Sequence, residues 1–78
     1  MQELLSAFTE INNLSKRETE VFNHLVLGVG SRAEDISKML GIRPNTVRIH
    51  LKNINTKLRV RGKTEALQKF LRFSLGNF

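Results

Sequence analysis

The 78-residue sequence predicts an all-α fold: a four-helix bundle over residues 14–78, with an extra helix near the N-terminus. Apolar residues recur at helical spacing in successive stretches. Helix-starting residues stand at the head of those stretches, and glycine, asparagine or proline separates them.

In residues 2–11, Leu4, Phe8 and Ile11 fall at i, i+4, i+7 with Leu5 beside them, which predicts a short amphipathic helix ending at Asn12-Asn13. Residues 1–13 read as an amphipathic extension or a linker remnant. Ser15 and Glu18 then form a capping box, with Leu14 at the staple position before the cap. Val21, Phe22 and Leu25 line one face of this second helix, which should end near Gly28, with Gly30 reinforcing the break. Ser31 and Glu34 predict another capping box, and Ile36, Met39 and Leu40 are the expected buried side of a short third helix. Gly41 follows, where a left-handed residue is wanted. Pro44 suits the first position of the next helix, about 44–58, and pushes Arg43 toward extended backbone. Val47, Leu51, Ile54 and Leu58 form its apolar stripe. Val60-Arg61-Gly62 is a turn, and a last helix runs from about Lys63 to Ser74.

A chain this short buries only about 60% of its unfolded surface, so its core is thin. No Cys is present, which excludes disulfides and thiolate metal sites. A secreted protein of this size would usually carry disulfides, and the start Met1-Gln2-Glu3 lacks the basic opening of a signal peptide, so the expected location is cytoplasmic. No apolar run reaches the roughly 18 residues of a membrane span. The formal net charge is +6. Arg43, Arg48, Lys52, Lys57, Arg59, Arg61 and Lys63 share a tract that contains no acid. Such clustering is the footprint of a polyanion binder. By itself it fits DNA, RNA, anionic lipid or an acidic protein equally.

Two short helices joined by Gly41-Ile42-Arg43, the second basic opposite its apolar stripe, match helix-turn-helix geometry. The major groove is about 12 Å wide and admits one helix. Arg48 and Lys52, at i and i+4, would point into it together. Leu14-Ser15-Lys16-Arg17-Glu18-Thr19-Glu20-Val21 resembles the L-[ST]-x-R-E-x-E-V opening of LuxR-type regulators. Ile36-Ser37-Lys38-Met39-Leu40-Gly41-Ile42, followed by Asn45-Thr46-Val47-Arg48-Ile49-His50-Leu51, resembles their central motif. The resemblance continues through Ile54, Lys57-Leu58, Val60 and Thr64-Glu65-Ala66 and covers roughly residues 14–72.

The resemblance implies a transcription regulator that binds double-stranded DNA, with contact to RNA polymerase as a further expectation. Arg48, Ile49 and Lys52 match positions that face bases. Asn45, Thr46 and Lys57 match positions near phosphates, and Arg61 and Lys63 match the basic turn before the last helix. Such domains typically dimerise through their last helix. Here Leu67, Phe70, Leu71 and Phe73 are the candidate interface, and a homodimer would read an inverted-repeat operator. Three departures stand out. The loop Gly28–Arg32 is longer than usual by two residues. Arg43 replaces the usual Ser or Thr cap, where it could reach a phosphate instead. No receiver or ligand-binding domain accompanies the motif, as in stand-alone members or an excised domain.

Other residues carry structural readings. His50 lies beside the apolar stripe, as a hydrogen-bonded structural histidine would. Two isolated histidines without cysteine make no zinc site. Glu18 and Glu34 read as capping residues rather than paired acids, and nothing pairs a nucleophile with a base. Neither catalysis, a metal nor a cofactor is expected. The competing function is a truncated regulator that pairs with a full-length relative and inhibits it. A membrane-active basic peptide is disfavoured, because the bases lie on helices with their own core stripes.

Overall fold

The computed structural model describes residues 2–28 and 32–76. Five helices follow one another: α1 (Gln2–Ile11), α2 (Lys16–Leu27), α3 (Ala33–Leu40), α4 (Pro44–Leu58) and α5 (Lys63–Ser74). Helix α4 is the hub, packing on α2, α3 and α5, while α1 lies against α5. None of the described helices is long and apolar enough to cross a membrane.

The core is Leu5, Phe8, Val21, Phe22, Leu25, Ile36, Val47, Ile54, Leu58, Ala66 and Phe70. Phe8 joins three elements. Its ring stacks on Phe22 at 5.5 Å between centroids and meets Phe70 and Phe73 edge-on at 5.3 Å each. Helix α1 thus fills the core between α2 and α5. Its inward face is Leu5, Phe8 and Thr9, rotated from the expected Leu4-Phe8-Ile11 line. Leu4 and Ile11 are exposed. Thr9 tolerates burial because its hydroxyl donates to Leu5 O at 3.0 Å within the helix.

The helix ends follow local chemistry. The Ser15 side chain accepts from Glu18 N–H at 3.1 Å, and Ser15 N–H donates to Glu18 Oε1 at 2.9 Å, the reciprocal pair of a capping box. Gly28 ends α2 in an extended conformation, where a Cβ would sit 2.2 Å from the His24 carbonyl oxygen. The predicted Ser31–Glu34 box involves Ser31, which lies outside the described residues, and so does Gly30. Arg32 caps α3 without a side-chain hydrogen bond. On α3 the buried residues are Ile36 and Ser37, and Leu40 packs partly against the core. Met39, expected inside, is 67% exposed. An eight-residue helix has room for one inward line, and α3 spends it on Ile36 and its near neighbours.

Candidate nucleic-acid interface

The turn between α3 and α4 sets the geometry of the exposed basic surface. Gly41 adopts φ 68°, ψ 33°, the left-handed conformation that costs glycine nothing. The chain then reverses, with the Ile42 N–H reaching back to Ser37 O at 3.1 Å. Arg43 is extended (φ −73°, ψ 146°), as a residue before proline should be, and caps α4 with no side-chain hydrogen bond. Its side chain is left exposed at the head of the helix. Asn45 is exposed and Thr46 half-buried in the same first turn.

Helix α4 divides sharply. Val47, Ile54 and Leu58 are buried, and Leu51 is half-buried against the core. Arg48, Ile49, Lys52 and Asn53 are exposed. Arg48, Lys52 and Arg61 line one shallow cleft, together with Leu51, Asn55, Thr56 and Val60. The fold thus brings the basic turn after α4 beside the outward face of α4 itself. Lys63 is exposed at the start of α5. The Arg61 N–H donates to Glu65 Oε1 at 3.1 Å, which fixes that turn.

The fold brings an acid to the Arg48 end of this surface. Glu34, at the start of α3, forms a hydrogen-bonded ion pair from its Oε2 to Nη2 of Arg48. The side chains stay half exposed, 53% for Arg48 and 50% for Glu34.

Lys57, expected near phosphate, bonds partners within its own chain. A helix turns about 100° per residue, so nine residues beyond Arg48 it points to the opposite side. There its ammonium donates to Glu18 Oε1 at 2.6 Å and to Asn13 O at 3.0 Å. The Glu18 side chain is only 7% exposed. Burial alone would raise its pKa. The hydrogen bond and charge of Lys57, together with the Ser15 N–H and side chain, outweigh that, and the carboxyl is held below its ordinary value. Lys57 ties the end of α4 to the start of α2.

The C-terminus of α4 is finished in two ways. Arg59 takes a left-handed conformation (φ 59°, ψ 44°), and Lys69 on α5 donates to Leu58 O at 2.6 Å. That last bond fixes α5 against the exit of α4.

The candidate dimer residues on α5 separate as well. Phe70 is 5% exposed and packs on Phe8 and Phe22, so it offers no surface to a partner. It is corrected to a core residue, because the ring is needed where α1, α2 and α5 meet. Leu67 and Phe73 are half-buried against the same core. Leu71 and Leu75 are exposed.

Sequence reasoning missed Glu34 as a partner of Arg48, Glu18 as a partner of Lys57, and Lys69 as a donor to α4. The available signal was an acid-free basic tract whose counter-charges had to come from elsewhere in the chain.

Residues 12–70 match the family model described as bacterial regulatory proteins, luxR family. Over 59 residues the chain is 41% identical to the spore germination protein GerE of Bacillus subtilis (strain 168), covering 76% of this chain and 77% of that protein. It is 36% identical over 69 residues to the transcriptional regulatory protein LnrK of the same organism, covering 88% of this chain and 30% of that protein. The chain therefore spans under a third of LnrK's length. No solved structure matches. With the helix-turn-helix geometry in place, the chain belongs to the luxR family of bacterial regulatory proteins, and it is a DNA-binding regulator of transcription rather than an enzyme.

Proposed function

We propose that this protein reads a specific double-stranded DNA operator in the cytoplasm, with α4 lying in the major groove. The carrying observation is the exposed side of α4, where Arg48, Ile49 and Lys52 stand free of any acid on their own helix, opposite the buried stripe. Arg48 and Lys52 are the guanine readers by chemistry, since both donate toward O6 and N7, and Ile49 supplies apolar contact beside them. Arg43, Asn45 and Thr46 at the head of α4, and Arg61 and Lys63 beyond its end, flank the groove and suit phosphates. Lys57 drops from that set because its ammonium already bonds Glu18 and the Asn13 carbonyl oxygen.

The reading extends to a symmetric homodimer formed through the exposed Leu71 and Leu75 of α5, with Leu67 and Phe73 at its edge. A two-fold pair would present two copies of α4 to an inverted repeat, with half-site centres about 10 base pairs apart. Contact with RNA polymerase would follow for an activator. The test is selection from a random duplex pool at moderate salt. An enriched inverted repeat is the expected result. A pool that enriches no motif contradicts operator reading and favours a module that acts by pairing with a full-length relative.

A further inference from the structure

We infer that Glu34 is a specificity-determining residue that acts by positioning Arg48, an inference that rests on α4 being the groove-reading helix. Arg43 through Lys63 contain no acid in sequence. The fold nevertheless brings one carboxylate onto the reading face, from a helix 14 residues upstream, and bonds it to Arg48. Half-exposed pairs of this kind contribute little to stability, so folding alone gives little reason for an acid there. A carboxylate also opposes phosphate binding, and an otherwise basic DNA surface should avoid it.

The chemistry of the guanidinium supplies a reason. Arginine carries five N–H donors in a planar fork. The bond to Glu34 is made from Nη2 and leaves other donors of the fork to meet guanine O6 and N7. Glu34 holds the fork in place before binding, which lowers the ordering cost on a cognate site. It also neutralises Arg48 toward phosphates. On a non-cognate duplex Arg48 gains neither bases nor a strong backbone contact. Glu34 therefore widens the gap between cognate and non-cognate DNA, and specificity is such a gap.

The experiment compares wild type with Glu34→Gln on two duplexes, one selected by the wild-type protein and one of scrambled sequence. Arg48→Ala and the double variant are run in parallel. Glu34→Gln should bind the scrambled duplex about threefold to fivefold more tightly, the scale of one exposed ion pair. Its logarithmic salt slope there should steepen by about 0.9, as one more cation reaches phosphate. The selected duplex should gain nothing, so the preference narrows. In the Arg48→Ala background the same change should leave the preference where Arg48→Ala put it. Equal tightening on both duplexes, or an undiminished effect without Arg48, overturns the inference, because either shows plain charge repulsion. The DNA-free protein gives an independent check: the Arg48 Nε–H resonance should move in Glu34→Gln, and an unmoved resonance also overturns it. A wild-type protein that prefers no duplex is a different failure, that of the operator reading itself.

Discussion

Arg48 and Lys57 lie nine residues apart on α4, and each is paired with a glutamate from an earlier helix. The Glu18 carboxylate that meets Lys57 is 7% exposed, and it accepts the Ser15 N–H as well. The Glu34 carboxylate that meets Arg48 is half exposed and caps nothing. A buried carboxylate stripped of its partner keeps a desolvation cost with nothing to offset it. An exposed one is simply rehydrated. The same chemistry therefore serves as framework at one site and stays available to a ligand at the other. Basic residues on a reading helix should be sorted by the burial of the acid they meet before they are assigned to DNA.

The largest effect that could break this comparison is on stability. Glu18→Ala removes half of the capping box and one of the two acceptors of the Lys57 ammonium. It should lower unfolding free energy by about 1–2 kcal/mol, chiefly through the lost cap, because Lys57 is 37% exposed and its ammonium is rehydrated. Urea denaturation measures it. A loss no larger than that of Glu34→Ala would erase the distinction between the two pairs.

A pH series sharpens the same point. The folded pKa of Glu18 is depressed, so its contribution is complete above the ordinary carboxylate range. That contribution drains away as pH falls through this range toward the lowered folded value. The stability gap between wild type and Glu18→Gln should shrink over that interval. A gap that stays constant with pH would remove the electrostatic part of the explanation.

On the proposed dimer surface, Leu71→Glu should weaken binding to a two-half-site duplex on the order of tenfold more than to a single half-site, with helix content by circular dichroism unchanged. Equal loss on both duplexes returns Leu71 to the fold of the monomer. The smallest effect is expected at Arg61. Arg61→Gln should flatten the logarithmic salt slope by about 0.9 and weaken all duplexes alike, whereas Lys57→Gln should leave that slope alone. A slope that moves for Lys57 and not for Arg61 would reverse their assignments.

The sequence was most legible where structure is decided locally. Pro44 and Gly41 mark the start of α4 and the turn before it, because proline fixes its own φ and glycine alone enters the left-handed region without cost. Ser15 and Glu18 find one another across three residues. The alternating four- and three-residue spacing of Val47, Leu51, Ile54 and Leu58 separates the inward and outward sides of α4 with no knowledge of its neighbours. Where two adjacent leucines compete, as Leu4 and Leu5 do on α1, periodicity does not choose. Only the position of Phe22, Phe70 and Phe73 around Phe8 decides. Met39 went outside for a related reason, since its burial depends on what the short α3 meets. The ion pairs were illegible because 39 residues separate Lys57 from Glu18 and 14 separate Arg48 from Glu34. No local spacing encodes partners that distant.

The base-reading role of Arg48 is tested most directly by competition binding of Arg48→Ala against every single-base variant of the selected duplex. The expected result is a loss of about 1–3 kcal/mol on the selected site, with preference relaxed at one base pair and kept at the others. Urea stability should stay within about 0.5 kcal/mol of wild type. A loss of the same size on every variant, with base preference intact at all positions, would make Arg48 a phosphate contact and contradict the assignment of α4's exposed face to sequence reading.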